Sequence, residues 1–347
     1  MQPLVSIVFP CYNASAFIRH SLESLLNQSY QNLEIICIND GSVDDTLDVL
    51  TEYQQKDKRI VIVNNDTNMG LIKTLNKGLL YVNGFYFARM DADDYSPPER
   101  IAQQVDFLSK HEGLDMVTTG STYFTTEGRA IQYLPPVASS HKAIQFLSLF
   151  VNPVVHASLL GKTSMIRSGK YTYDAAYPHA EDFELFGRLA WSGSQIGSID
   201  QPLYWIRINL SSVSFKYADI QVKTNVKTIK RNVTAFLGLT EFPDDLTLKL
   251  TLNKIDELPD FSNVTKAYDF IDVLRLRSNE LLHFTKQEQK EIDAFLSIHK
   301  LNILIQANKI RFKALGYKNG TFCIRSLKYL RLRQLLPIFA KLKKTFA

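Results

Sequence analysis

Cysteine is almost missing from this chain. Three occur in 347 residues (Cys11, Cys37 and Cys323), with no paired or metal-type spacing. That excludes a disulfide framework and a thiolate zinc site, and it suits a reducing compartment. Long apolar runs are lacking as well, and none approaches the roughly 18 residues that a membrane-crossing helix needs. The sequence enters a strand pattern within its first residues, so no secretory signal peptide is expected and a cytoplasmic location is. The Asn-x-Ser/Thr triplets then count as chance. Internal repeats and low-complexity tracts are also absent. What remains is ordinary for a soluble globular protein: 45% apolar, 22% charged, and long enough for one large domain plus a smaller one.

One further absence is local. No Asp or Glu follows residue 300, whereas eleven Lys and Arg do (Lys309, Arg311, Lys313, Lys318, Arg325, Lys328, Arg331, Arg333, Lys341, Lys343, Lys344). With +5 overall and eleven positive charges in that tail, the first 300 residues carry −6. Bulky apolar residues run through the same stretch, among them Ile310, Phe312, Leu315, Leu327, Leu330, Leu335, Leu336 and Phe339. Such a segment can sit peripherally on an anionic membrane, its cations at the headgroups. A helix packed on the body with a solvated basic face has the same composition. No nucleic-acid recognition motif accompanies the charge, so no nucleic-acid partner is expected.

The first half alternates. Leu4–Pro10 reads as a doubly buried strand and Phe17–Leu26 as a helix. Leu33–Asn39 is the next strand, Asp44–Lys56 a helix, Ile60–Val63 a strand, Gly70–Tyr81 a helix and Phe85–Met90 a strand. Strands alternating with helices of this length mean an α/β parallel sheet with right-handed crossovers. After a helix over Pro97–His111 the alternation loosens. Met116–Phe124, Ile131–Leu134, Ala157–Leu160, Ile196–Ile199 and Leu203–Ile208 read as strands, Ala143–Phe150 and Ala180–Gly193 as helices. Beyond about residue 215 helical patterns take over, which sets a domain boundary there.

The chemistry concentrates at Asp91-Ala92-Asp93-Asp94, directly after the fourth strand. Tyr95-Ser96-Pro97-Pro98-Glu99 follows, with Ser96 placed to cap a helix, Pro97 for its first turn and Glu99 for a capping box. The carboxylates thus fall on a turn at a strand's C-terminal end, the edge where open α/β sheets bind ligands. Asp91 and Asp93, two apart, can aim hard oxygen ligands at one Mg²⁺ or Mn²⁺. A solvated acidic turn that merely caps the helix would look the same. The other strand tips, Pro10-Cys11-Tyr12-Asn13 and Asn39-Asp40-Gly41-Ser42, should converge on this edge. Asp40 can accept a hydrogen bond from a base N–H, or serve as an Asx-turn. Tyr12 offers a flat face to a nucleobase, or packs in the core.

Val5-Ser6-Ile7-Val8-Phe9-Pro10-Cys11-Tyr12-Asn13, Asn39-Asp40-Gly41-Ser42-Val43-Asp44-Asp45-Thr46, Asn68-Met69-Gly70-Leu71 and Met90-Asp91-Ala92-Asp93-Asp94 occur in the order and spacing of glycosyltransferase family 2. Asn152-Pro153…His156 and Ala180-Glu181-Asp182-Phe183 fit as well, so the resemblance covers roughly residues 3 to 210. The opening Met1-Gln2-Pro3-Leu4-Val5-Ser6 and the helical C-terminus are similar to the bacterial lipooligosaccharide β-1,3-N-acetylhexosaminyltransferases within that family.

The resemblance implies a GT-A fold, a Rossmann-like, mixed but mostly parallel α/β sheet, over residues 1–215, with a helical C-terminal region over 216–347. It implies inverting transfer from a nucleotide-sugar, with UDP-linked GlcNAc, GalNAc or galactose as leading donors. The acceptor would be a hydroxyl of a lipid-linked glycan such as lipooligosaccharide or capsule. By carry-over, Pro10, Tyr12 and Asp40 hold the nucleoside, Asp91 meets the ribose or the metal, and Asp93 ligates Mn²⁺ or Mg²⁺ on the diphosphate. Asp182 is the general base, kept ionised by the helix N-terminus it occupies, with Glu181 as the neighbouring alternative. Ser15 stands where relatives often carry Glu, and Lys73 is the nearest basic residue to a family Arg. His156 can approach the diphosphate or metal, or act as a structural hydrogen-bonding residue. A sugar nucleotidyltransferase would need a Gly-rich basic loop after the first strand, which Pro10-Cys11-Tyr12-Asn13 does not supply. A catalytically inactive nucleotide-sugar-binding module would not need both the metal carboxylates and the base.

Overall fold

In a computed structural model the described residues are 2–209, 216–254 and 259–314. They divide into two compact units: residues up to Ser148 with Asn152–Gln221, and Leu149–Val151 with those from Val222 on.

The first unit is built on an eight-stranded sheet. Its strands are β1 Val5–Cys11, β2 Leu33–Asn39, β3 Ile60–Asn64, β4 Tyr86–Arg89, β5 Met116–Phe124, β6 Ala130–Leu134, β7 Leu160–Lys162 and β8 Ile196–Arg207, in the order β3-β2-β1-β4-β7-β5-β6 with β8 beside β5. The first four are mutually parallel, β7 is antiparallel to β4 and β5, and β8 is parallel to β5. This is a mixed, mostly parallel α/β sheet; the alternation pointed to its parallel part, and the family resemblance implied the mixed GT-A-like whole.

Every residue of β1 is buried, as a strand covered on both faces must be. The helices between strands are α1 Ile18–Leu26, α2 Thr46–Lys56, α3 Leu71–Leu79 and α4 Arg100–Lys110, followed by α5 His141–Leu147, α6 Ser164–Arg167 and α7 Glu181–Trp191. Ile18, Leu22 and Leu25 of α1 and Ile101, Val105 and Leu108 of α4 pack with β1 in one core. Pro10 is tolerated inside this central strand for a specific reason. Val8 C=O accepts from Met90 on the β4 side and Cys11 C=O from Asp40 on the β2 side. The missing N–H of Pro10 therefore faces the β4 side, beyond Arg89 where β4 has ended.

Three expectations change. The capping box at Ser96 and Glu99 does not form: α4 starts at Arg100, and Ser96 is buried, its Oγ accepting from Gln28 Nε2 at 3.1 Å. The strand expected at Ala157–Leu160 is instead a 3-10 turn, His156–Ser158, with β7 starting at Leu160. Its carbonyls are claimed by α4 side chains, Arg100 Nη2 bonding Ala157 O and Gln104 Nε2 bonding Ser158 O, so they are not free for a ladder. The two late strands are one. Asp200-Gln201-Pro202 is a bulge, across which Thr119 pairs with Ile199 but Gly120 with Pro202.

The second unit is helical: α8 Ala218–Leu237, whose first residues belong to the first unit, then α9 Asp245–Thr251, α10 Phe261–Leu282 and α11 Lys286–Ala314. Ile229, Leu248, Ala267, Ile271, Leu274, Ile292 and Ile303 form its apolar interior. Asp260 and Asn263 close a reciprocal capping box at the start of α10. Among the described residues no helix is long and apolar enough to cross a membrane. The basic tail expected to meet an anionic surface lies, from residue 315 on, outside the described residues.

Candidate active site

The topology brings the C-terminal ends of β2, β1 and β4 side by side. The loops after β1 and β2 are bonded to each other. Asn13 N donates to Ser42 Oγ (3.0 Å), Ala14 N to Thr46 Oγ1 (2.8 Å), Ser15 N to Asp44 Oδ2 (3.0 Å), and Val43 N to Asn13 Oδ1 (3.0 Å). Ser15 thus takes part through its backbone. Asn13 adopts a left-handed φ of 47°, which Asn tolerates, and leaves the Tyr12 ring 50% exposed. An open ring at a strand tip is available for stacking; a core tyrosine is not.

Asp40 is buried and already engaged. Its Oδ1 accepts from Asn65 Nδ2 (2.7 Å) and Met69 N (2.8 Å), its Oδ2 from Gly70 N (3.0 Å). It therefore ties the 65–70 loop to the β2 tip. A carboxylate has about four acceptor positions, so one is left for a ligand. Lys77 completes this cluster through Asn65 Oδ1 (2.6 Å), whereas Lys73 stands exposed on the first turn of α3. Gly41, at φ 64°, lies under the same loop, and a Cβ there would meet Thr67 C at 2.5 Å. Gly41→Ala should destabilise the fold by about 2 kcal/mol or more, measured as a lower urea midpoint with the slope unchanged. An unchanged midpoint would show that the loop is not fixed against β2.

The acidic turn is held from both sides. Arg89, at the end of β4, donates from Nη1 to Asp91 Oδ2 at 2.8 Å and from Nη2 to Asp91 Oδ1 at 2.5 Å. Asp94 is buried and accepts from Tyr204 OH (2.7 Å) and Arg207 N (2.9 Å). Arg207 Nε bonds Asp93 O (2.6 Å), and its guanidinium lies over the Phe124 ring at 4.4 Å. The third carboxylate is thus a structural pin that fastens the turn to β8. Among the described residues no ion pair is made by the Asp93 carboxylate itself. Burial, then the charge of Asp91, push it up to about 6.

At the head of α7, Asp182 is only partly exposed; its Oδ2 accepts from Asn152 Nδ2 (2.8 Å) and its Oδ1 from Phe183 N (2.7 Å). The helix N-terminus was expected to favour its anion. Burial outweighs that and pushes the carboxyl above its ordinary range. Glu181 beside it is buried, and burial with the charge of Asp182 pushes it up to about 7. His156 is buried and hydrogen-bonded through Nε2 to Tyr173 OH at 2.6 Å, which in turn meets Tyr171 OH at 2.9 Å. Burial and then Arg89 hold its imidazole well below its usual value, so it is neutral. The structural hydrogen-bonding role is the one its ring performs.

A divalent cation fits Asp91 and Asp93 chemically. Among the described residues no group of three or more His, Cys, Asp or Glu side chains is arranged to hold a metal. Mg²⁺ and similar ions need only one or two protein carboxylates when phosphate oxygens and water fill the remaining positions. The raised Asp93 carboxyl beside Asp91 marks negative charge that a cation would relieve. His156 is not brought into this set.

Arg89, Tyr204 and Arg207, which fix the acidic turn, were not singled out in the sequence. Arg89 had a signal, being a charged residue inside an otherwise apolar strand. Tyr204 and Arg207 are more than 100 residues away in the chain, and no local pattern connects them to it.

Residues 6–161 match the family described as Glycosyl transferase family 2. A Haemophilus influenzae protein described as an uncharacterized glycosyltransferase is 31% identical over 327 residues, covering 87% of this chain and 98% of the relative. The putative glycosyltransferase EpsE of Bacillus subtilis is 33% identical over 208 residues, covering 59% of this chain and 73% of the relative. Among solved structures, S. aureus TarS in complex with UDP-GlcNAc is similar with a TM-score of 0.56 at 15% identity, covering 88% of this chain and 83% of that one. The mannosyltransferase PcManGT from Pyrobaculum calidifontis in complex with GDP-Man and Mn2+ is similar with a TM-score of 0.53 at 14% identity, covering 90% and 88%. The fold and the strand-tip site define a GT-A-like enzyme scaffold. The chain belongs to glycosyltransferase family 2.

Proposed function

We propose that this glycosyltransferase is an inverting enzyme that moves a hexosyl or N-acetylhexosaminyl group from a UDP-sugar to a hydroxyl of a surface glycan such as lipooligosaccharide or capsule. The observation that carries it is a division of carboxylates. Asp91 and Asp93 follow β4, the neighbour of the strand β1 whose tip carries the exposed Tyr12, and Asp182 lies at the head of α7 with a raised carboxyl. The UDP-GlcNAc bound by TarS and the GDP-Man and Mn2+ bound by PcManGT support the donor class.

On this reading Tyr12 stacks on the base, Pro10 shapes the tip under it, and Asp40 holds the 65–70 loop while offering its remaining acceptor position to the nucleoside. Lys73 reaches toward the diphosphate from α3. Asp91 and Asp93 would hold Mn²⁺ or Mg²⁺, which would supply Lewis-acid neutralisation of the diphosphate charge. Asp182 takes the proton of the acceptor hydroxyl, and Asn152 and Phe183 N–H orient it for that transfer. A carboxylate with a raised pKa is a stronger base than an ordinary one. Residues 1–215 would form the catalytic domain, and the basic tail would keep the enzyme at the inner membrane face, near a lipid-linked acceptor.

A thermal-shift panel of nucleotide-sugars, each with Mn²⁺ and with EDTA, tests this. A UDP-sugar should raise the melting temperature most, and only with the cation. If no nucleotide-sugar stabilises the protein under either condition, the donor assignment fails.

A further inference from the structure

Residues 170–173 form no helix or strand, yet side chains from two helices hold their backbone. Tyr171 and Tyr173 are buried, whereas Lys170 and Thr172 are exposed. On one side stands Asn76 of α3. Its Nδ2 donates to Tyr173 O and its Oδ1 accepts from Tyr173 N, both at 2.9 Å, so one amide closes on one residue as a strand partner would. Thr172 Oγ1 also reaches Asn76 Oδ1, at 3.4 Å. On the other side stands Arg188 of α7. Its Nη1 donates to Lys170 O (2.9 Å) and its Nη2 to Thr172 O (2.6 Å). The same guanidinium forks onto the buried Glu184 through Nε at 2.9 Å and Nη2 at 3.0 Å. The Tyr173 phenol is anchored in turn on His156 and Tyr171.

Each of these helices carries one half of the proposed reaction. α3 follows Gly70, whose N–H is held by Asp40, and Lys77 of α3 bonds Asn65 on the same loop. α7 opens on Glu181 and Asp182, and Arg188 lies less than about two turns further along it. A strap bonded to both helices fixes how far the head of α7 stands from the nucleoside edge. A displacement of about 1 Å between reacting groups is enough to cost roughly 100-fold in rate.

We propose that Asn76 is a positioning residue for Asp182: by gripping Tyr173 it sets, through the 170–173 strap and Arg188, where the head of α7 stands relative to α3. The proposal rests on the reading of Asp182 as the base. Asparagine suits the place because its short side chain carries a donor and an acceptor side by side, matching the C=O and N–H of one residue. A carboxylate there would serve only the N–H, and a methyl group neither.

The test reads Asp182 through the two groups that bond it, Phe183 N–H and the Asn152 side-chain amide. Both are followed by proton–nitrogen NMR of the ligand-free full chain. Asn76→Ala should shift both signals and speed hydrogen exchange at Phe183 N–H by about tenfold or more, with the amides of α1 and α4 unmoved. Arg188→Met should do the same, and combining the two should add little, because they act through one strap. A folded Asn76→Ala protein whose changes stop at residues 170–174 would overturn the proposal, since Asn76 would then brace the strap alone. Should that variant not fold, Asn76→Asp, which keeps an acceptor for Tyr173 N and loses the donor, decides in the same way. Turnover does not enter the readout. A fully active Asp182→Asn enzyme would end the base reading with these signals as measured. Unmoved signals would overturn the positioning and leave the base reading standing.

Discussion

Asp182→Asn should lower transfer by 10²- to 10⁴-fold, the usual range for loss of a positioned general base, while donor affinity stays at the wild-type level. The amide cannot take a proton at neutral pH. It also cannot satisfy both donors that now bond the carboxylate, because Asn152 Nδ2 and Phe183 N each need an acceptor oxygen. Donor affinity should survive because the donor-side groups belong to other elements. The pH profile adds a second check. Glu181 is pushed up to about 7 by burial and Asp182, and the two titrate as a pair. Activity should therefore rise as pH passes through neutrality. Glu181→Gln, which removes the like charge, should move that acidic limb downward without abolishing transfer. A full-rate Asp182→Asn enzyme combined with a dead Glu181→Gln enzyme would reassign the base.

The convergence of the strand tips could be read in the sequence because its parts are local. A strand, a turn with Gly41 or Asn13, and a helix start fall within about ten residues, and parallel order then sets the tips side by side. What could not be read is how the acidic turn is held. Asp94 stands in the same acidic run, and nothing local shows that Tyr204 and Arg207 N claim it from across the sheet. Ser96 carried a capping signal, but Gln28 on the α1 side reached it first. The 3-10 turn at His156–Ser158 was hidden because its cause, the Arg100 and Gln104 side chains, lies on α4. The charge states followed the same rule. A helix start suggested an ionised Asp182, and burial by surrounding residues, which no local pattern reports, set the opposite direction.

Asp93→Asn should abolish cation-dependent nucleotide binding and, at the same time, stabilise the ligand-free protein at alkaline pH. Both follow from one fact, that burial and Asp91 push the Asp93 carboxyl from 3.8 up to about 6. The folded state then binds more protons than the unfolded state between those values. Stability is lost as pH rises through that window, and the penalty is complete above it. Asparagine removes a charge that the fold disfavours, so the variant should gain roughly 1–3 kcal/mol at pH 8 and little at pH 4. The same charge is what a divalent ion needs. Mn²⁺-dependent UDP affinity should fall by at least about 100-fold, more than the loss expected when only a residue behind a ligand is removed. Calorimetry with Mn²⁺ and with EDTA measures the binding, and urea melts at the two pH values measure the stability. A variant that gains stability at pH 8 yet binds UDP with wild-type cation dependence would confirm the buried charge and remove Asp93 from the metal site.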